Sequence, residues 1–370
     1  MKKILLLVGA AVPLSAALAQ AVPPPPAPPQ PPSWRLLAWM PGEVRCGGAP
    51  VPATSVRRPW TAIGWGNAKP PGAPLVYRFR IDADGRALSI RRASGGYPPG
   101  AEDVAPSVAV SRFPAGEPRT DCTIAYSLRA IAPQDAPVED LISYSLTPLS
   151  GKLPPEGWAR IRPATSPCLV EPRPHPLTMV FPDYEKLPGQ PGVKDWSMVE
   201  YDLDGRGRPV HVRTGASTGN TTLNAAAAKA MRASRYTGGA RTGCFYPYAR
   251  AAATLAAPPP SAAEDALRPS GSTCPQSGDW AAPPRLRYPK PYQRRSIEGW
   301  ATVAFDVAPW GELGNLRVLA SEPTAEFGDA ALQVLRSARK PASSAGRAGC
   351  VERVAFKMGY GGIPAEDGPS

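Results

Sequence analysis

Histidine is nearly absent from this chain: there are two in 370 residues, His175 and His211, far apart in sequence. A Ser/His/Asp or Cys/His centre needs an imidazole within reach of a nucleophile. Neither histidine offers one: His175 lies in the loop-like Arg173-Pro174-His175-Pro176, and His211 stands on a strand between Val210 and Val212. Cys-x-x-Cys is also missing, which removes the close ligand pairs that zinc sites use. No glycine-rich phosphate loop occurs. Two Asp-x-Asp-Gly stretches, at Asp82–Gly85 and Asp202–Gly205, lack the closing glutamate of a calcium loop. No long run of like charges occurs either, so the net charge of +12 reads as a solvated basic surface. A nucleic-acid stripe would interleave clustered charge with aromatics. These absences predict no catalytic residues, no metal, no cofactor, no small-molecule cofactor partner and no nucleic-acid partner.

Long apolar runs are confined to the start. Lys2 and Lys3, the apolar stretch opening at Ile4–Leu7, and Ala17-Leu18-Ala19 have the order of a secretory signal peptide cleaved before Gln20. Pro13 interrupts the stretch, which ends by Val22 and is short for a membrane span of about 20 residues. No lipobox cysteine follows it. The expected location is the periplasm, with an uncleaved inner-membrane anchor as the alternative.

What the chain does have is proline, 50 residues of it, with 35 glycines and six cysteines. Cys46 to Cys122, Cys168 to Cys244 and Cys274 to Cys350 each span the same interval. Six cysteines permit fifteen pairings in principle, and repetition selects those three. Disulfides persist in an exported chain, and closing so long a loop stabilises by about 4 kcal/mol.

The intervening sequence repeats as well. First strands alternate with period two at Tyr77–Ile81, Ser197–Tyr201 and Val303–Val307, which predicts one buried and one wet face. Each runs on to a glycine, Gly85, Gly205 or Gly311, able to take the positive φ of a hairpin turn. Second strands follow at Leu88–Ile90, Val210–Val212 and Leu316–Val318. A helical stripe follows at Phe327, Ala330, Ala331, Val334, Leu335 and Ala338, and at Leu223, Ala226, Ala227, Ala230 and Met231 behind an N-cap region at Asn220. Val104–Val110 is a weaker helix. Third strands start at Cys122, Cys244 and Cys350.

The predicted fold class is therefore α+β: three tandem small units, each a three-stranded antiparallel sheet with a packed helix (β-β-α-β) and one disulfide. The expected layout is a signal peptide at 1–19 and a proline-rich linker at 20–33. The first and most divergent unit takes 34–135, a linker 136–158, the second unit 159–255, a Pro/Ala linker 256–269, the third unit 270–361 and a tail 362–370. Small domains strung on stiff connectors are the expectation.

In the third unit Arg287-Tyr288-Pro289, Ile297-Glu298-Gly299, the strand Ala301–Val307, the turn at Gly311, Leu316–Val318 and the helix from Phe327 to Arg336 resemble the TonB C-terminal domain. The second unit resembles it through Phe181-Pro182, Tyr201, Gly205 and Leu223–Arg232. That resemblance implies an energy transducer's receptor-binding domain, whose last strand pairs with a peptide by addition to an open sheet edge. It places the peptide-binding edge at Val351, Arg353, Val354, Phe356 and Met358, with protein or peptide partners such as outer-membrane receptor segments. The cleavable leader and short proline spacer instead suggest a non-enzymatic periplasmic binding protein linked to outer-membrane transport. A membrane-anchored transducer with an uncleaved leader is the alternative.

Nine tryptophans stand mostly at unit edges: Trp34, Trp39, Trp60, Trp65, Trp158, Trp196, Trp280, Trp300 and Trp310. They are expected to cap small cores, with Trp310, at a hairpin tip, the candidate for a surface contact.

Overall fold

The computed structural model describes residues 33–66, 73–93, 98–162, 166–263, 265–275 and 279–359. The leader 1–19, nearly all of the proline-rich segment 20–33 and the tail 362–370 lie outside the described residues. No helix among the described residues is long and apolar enough to cross a membrane. The protein is α+β, its sheets are antiparallel, and its disulfides join Cys46 to Cys122, Cys168 to Cys244 and Cys274 to Cys350.

The first sheet has six strands where three were expected. Strands β1 (Trp34–Cys46), β2 (Ala49–Pro50), β3 (Ala62–Trp65), β4 (Leu75–Ile81) and β5 (Ala87–Arg92) precede helix α1 (Val104–Val110) and strand β6 (Arg119–Ile131). The order is β2-β1-β6-β4-β5, with β3 on β1. Trp34 and Leu36–Trp39 are buried, a near-continuous apolar run that a strand covered on both faces requires. It pairs along β6 until Cys46 stands opposite Cys122.

Helices α2 (Val138–Leu146) and α3 (Pro155–Ile161) follow. The stretch read as a connector, 136–158, is thus a packed layer. Leu141 and Tyr144 join Trp34, Leu36 and Ile63 in one cluster, while Ile142 joins Trp196 and Met198 in another. Its apolar side chains are buried between neighbouring sheets, which a spacer would not do.

The second sheet comprises β8 (Asp195–Leu203), β9 (Pro209–Ser217) and β11 (Arg241–Arg250), in the order β11-β8-β9. Strands β7 (Pro176–Thr178) and β10 (Arg235–Tyr236) form a separate small pair. Helix α4 (Thr221–Ala233) begins at Asn220, whose side chain accepts from Leu223 N–H at 3.0 Å. After helix α5 (Lys290–Arg294), the third sheet comprises β12 (Gly299–Val307), β13 (Leu313–Glu322) and β14 (Arg347–Phe356), in the order β13-β12-β14, with helix α6 (Ala325–Arg336).

The alternation of the central strands predicts a wet face, and the structure covers part of it. In β12, Ala301 and Val303 share a core with Phe327 and Ala331 of α6. On the same strand, Trp300 donates from Nε1 to Pro258 O at 2.7 Å, and on β14 Arg353 donates from Nη2 to Ala262 O at 2.8 Å. Residues 256–262, expected as a linker, therefore hydrogen-bond to the third sheet.

The three hairpins share a bulge at one corresponding place, and the second and third each carry a further register shift nearer their start. Register shifts fall between Arg78 and Arg80, between Glu200 and Asp202, and between Ala304 and Asp306. The residues Ser89, His211 and Asn315 there take φ of 53°, 51° and 51°. Such left-handed residues are uncommon outside glycine and suit a bulge. The turn glycine of the second hairpin is Gly207, at φ 70°, rather than the expected Gly205; Asp204 accepts its N–H.

The sheets are not separate beads. The first and third share one core, in which Tyr77, Ile90 and Val108 meet Tyr292, Ile297 and Phe327. Ile90 N–H donates to Pro323 O at 3.0 Å, and Arg80 pairs with Glu322 at 2.9 Å. The reason lies in the apolar surface: Ile90 of β5 and Phe327 at the start of α6 are both buried in that one shared core.

Candidate binding edge

Strand β14 lies at one edge of the third sheet. Its inner side pairs with β12 from Gly299 opposite Phe356 to Val307 opposite Arg347. The outer side is capped over its first third. Thr273 N–H donates to Ala348 O at 3.0 Å, Ser272 Oγ to Gly349 O at 2.9 Å and Ala348 N–H to Thr273 Oγ1 at 2.8 Å, beside the Cys274–Cys350 bond. The segment from Val351 to Phe356 lies beyond that cap.

Of the five side chains expected there, Val351, Val354 and Phe356 are buried. Phe356 packs against Phe327 and edge-on against Tyr288. Val354 and Phe356, on one face, hold the strand to the core shared with α6, while Val351 lies on the same face as Arg353. Arg353 lies across the opposite face, with Nε donating to Thr302 Oγ1 at 3.3 Å and its guanidinium 5.5 Å from the Trp300 ring. Met358, past the strand, donates its N–H to Glu298 Oε1 at 2.9 Å, and Lys357 pairs with the same carboxylate at 3.0 Å. Glu298 therefore fixes where the chain leaves the sheet.

Trp310 stands in the β12–β13 turn and is 66% exposed, the most exposed large aromatic among the described residues. Its Nε1 donates to Glu312 at 2.8 Å, and Glu312 pairs with Arg339 at 2.8 Å. Those two bonds hold Glu312 below the usual carboxylate range, the Trp310 bond contributing most. Trp34, Trp39, Trp196 and Trp300 are buried.

The sequence did not single out the opposite edge, β13. Val318 and Leu319 are exposed there, at 37% and 36%. Leu316-Arg317-Val318 reads as a strand, but alternation alone does not say which strand of a sheet is outermost.

The bulges of the second and third sheets are held electrostatically. Asp306 accepts from Asn315 Nδ2 at 2.7 Å and from Gly349 N–H at 2.8 Å. Asp202 accepts from Gly243 N–H at 2.8 Å and contacts His211 Nδ1 at 2.9 Å. Both carboxyls are held below their ordinary range, Asp306 first by Asn315 and Asp202 first by the Gly243 N–H. His211 is thus a surface side chain paired across a bulge, and His175 is also exposed. All six cysteines are in disulfides, which leaves no free thiol. Among the described residues no group of three or more His, Cys, Asp or Glu could hold a metal ion.

The Tyr-Pro at the start of this segment has a structural role. The Tyr288 hydroxyl donates to Ile297 O at 2.6 Å, and its ring packs edge-on against Phe327. It joins the chain entering the sheet to α6. No curated protein matches the chain. The segment that runs from just before Tyr288 through the hairpin and α6 to the end of β14 does find a likeness: residues 284–358 match the family described as Gram-negative bacterial TonB protein C-terminal.

Proposed function

We propose that this chain is a non-enzymatic periplasmic protein of TonB-like kind, built from three copies of one unit, that binds extended protein or peptide segments in connection with outer-membrane transport. The observation that carries the reading is the position of β14, the last strand of the family-matched segment, at a sheet edge with 351–356 beyond the 272–274 cap. Strand addition needs an accessible row of backbone groups, with side chains beneath it that keep the strand flat; Val354 and Phe356 serve that purpose. Trp310 would extend the contact. Support for three copies comes from the common disulfide interval of 76 positions and the common bulge.

The test is a peptide array, made from periplasm-facing ends of outer-membrane receptors, probed with the full mature chain. Hydrogen exchange on the best complex would follow. Saturable binding with slowed exchange across 351–356 is expected. Absence of binding, or protection confined to other strands, would overturn the edge reading.

The family match is equally compatible with a second reading, a membrane-anchored transducer of the TonB type that keeps its leader. Sequencing the N-terminus of the protein from its native host, with cell fractionation, separates the two. A chain beginning at Gln20 in the soluble periplasm supports the first; one retaining Met1 in the inner membrane supports the second.

A further inference from the structure

In each hairpin one cross-strand pair stands immediately before the bulge. In the second sheet it is Glu200 opposite Arg213, and the two form an ion pair. In the third it is Ala304 opposite Arg317. In the first it is Arg78 opposite Arg91. Like charges directly opposite one another on a sheet are destabilising, so the first hairpin has the one unfavourable version of this pair.

Both arginines are exposed and line a cavity of about 420 Å³ on the sheet face turned away from α1. Among the described residues neither side chain has an ion-pair or hydrogen-bond partner. Arg80, also on the cavity wall, is engaged by Glu322 at 2.9 Å and by Ser89 Oγ at 3.1 Å. Glu322 also accepts from Ser89 N–H at 2.7 Å, so that carboxylate serves the bulge. The remaining charged group on the wall is Asp121, an exposed carboxylate opposing two unmatched guanidinium groups. Thr123, opposite Arg78 on β6, adds a hydroxyl.

We propose that this cavity binds the oxyanion group, phosphate or carboxylate, of a small ligand, held between Arg78 and Arg91. A guanidinium presents paired donors that match either group, and two of them facing one cavity favour a shared anion over mutual repulsion. The bound anion takes the place that the Glu200 carboxylate fills in the second sheet.

The experiment is calorimetric titration of the full mature chain with inorganic phosphate and, separately, with citrate, at constant ionic strength. Saturable binding of at least one is expected. Arg78→Glu, which installs in the first sheet the pairing already present in the second, should weaken it at least tenfold while leaving the unfolding temperature unchanged or higher. Arg91→Gln, a milder change, should weaken it in the same direction and serves if the charge reversal perturbs folding. Arg317→Ala, in the third sheet, should leave it unchanged. Tighter binding of phosphate assigns a phosphorylated ligand, and tighter binding of citrate a carboxylate. Heats that do not saturate for either anion, or equal affinities in the parent and both cavity variants, would overturn the proposal.

Discussion

Arg295 and Asp103 form an ion pair across 192 positions of sequence, with Arg295 Nε donating to Asp103 Oδ1 at 2.6 Å and both side chains almost fully buried. The arginine comes from the third sheet's approach and the aspartate from the turn into α1. Arg295 also donates to Gly192 O at 3.2 Å, on the chain entering the second sheet, and to Arg58 O at 3.3 Å, while its guanidinium lies 4.3 Å from the Trp60 ring. Asp103 accepts in addition from Trp60 N–H at 2.6 Å. One side chain thus touches all three parts of the protein.

Removing one partner leaves the other charge buried and uncompensated. Asp103→Ala and Arg295→Ala should each cost about 3–5 kcal/mol. Denaturant unfolding followed by tryptophan fluorescence measures this. Because the first and third sheets share a core, the loss should appear in one cooperative transition; two separated transitions would contradict that coupling.

Gly192 has a second reason to be glycine. Its φ is 72°, and a Cβ there would lie 2.0 Å from Val110 Cγ1. Gly192→Ala should destabilise by more than about 1 kcal/mol, since the backbone is strained and a buried valine must move. Thermal unfolding reads the effect. Gly239, at the same φ but with open space around it, is the control for strain alone.

Opening the third disulfide by replacing Cys274 and Cys350 together with serine should cost about 4 kcal/mol, from the freedom regained by the unfolded chain. It should also release the 272–274 segment that caps β14. Hydrogen exchange at Ala348 and Gly349 should speed up more than at Val354.

Asp306 and Asp202 give stability a definite dependence on pH. Both have folded-state values below the ordinary 3.8. Their contribution is therefore fully present above that value and is lost as pH falls through the lower, folded one. Asp306→Ala should unfold more easily than the parent at neutral pH, with the difference shrinking in acid. Unfolding midpoints measured from neutral pH down to about pH 2 check the sign.

Trp310→Ala should leave stability within about 0.5 kcal/mol of the parent, because the side chain is mostly exposed and its hydrogen bond is local. If the hairpin tip contacts the partner, peptide affinity should fall; unchanged affinity removes Trp310 from the binding surface.

Local and covalent features were already written in the amino-acid order. Period-two alternation set the hairpin strands, because side chains in a strand alternate faces whatever packs on them. Equal cysteine spacing set the disulfides, and the i, i+3, i+4 stripes set α4 and α6. The edge candidates Val351, Val354 and Phe356 were legible as strand residues. Which surfaces face each other was settled by packing. β1 joined the first sheet because Trp34–Trp39 could be covered on both sides; α2 emerged from a stretch with the proline content of a linker because Leu141, Ile142 and Tyr144 had sheets to pack against. Arg295 gives no sign in sequence of meeting Asp103, and Arg78 none of standing opposite Arg91 beside a cavity. Such pairings join residues far apart in the chain, and they are fixed by strand register and by burial of apolar surface shared between sheets, neither of which a local pattern encodes.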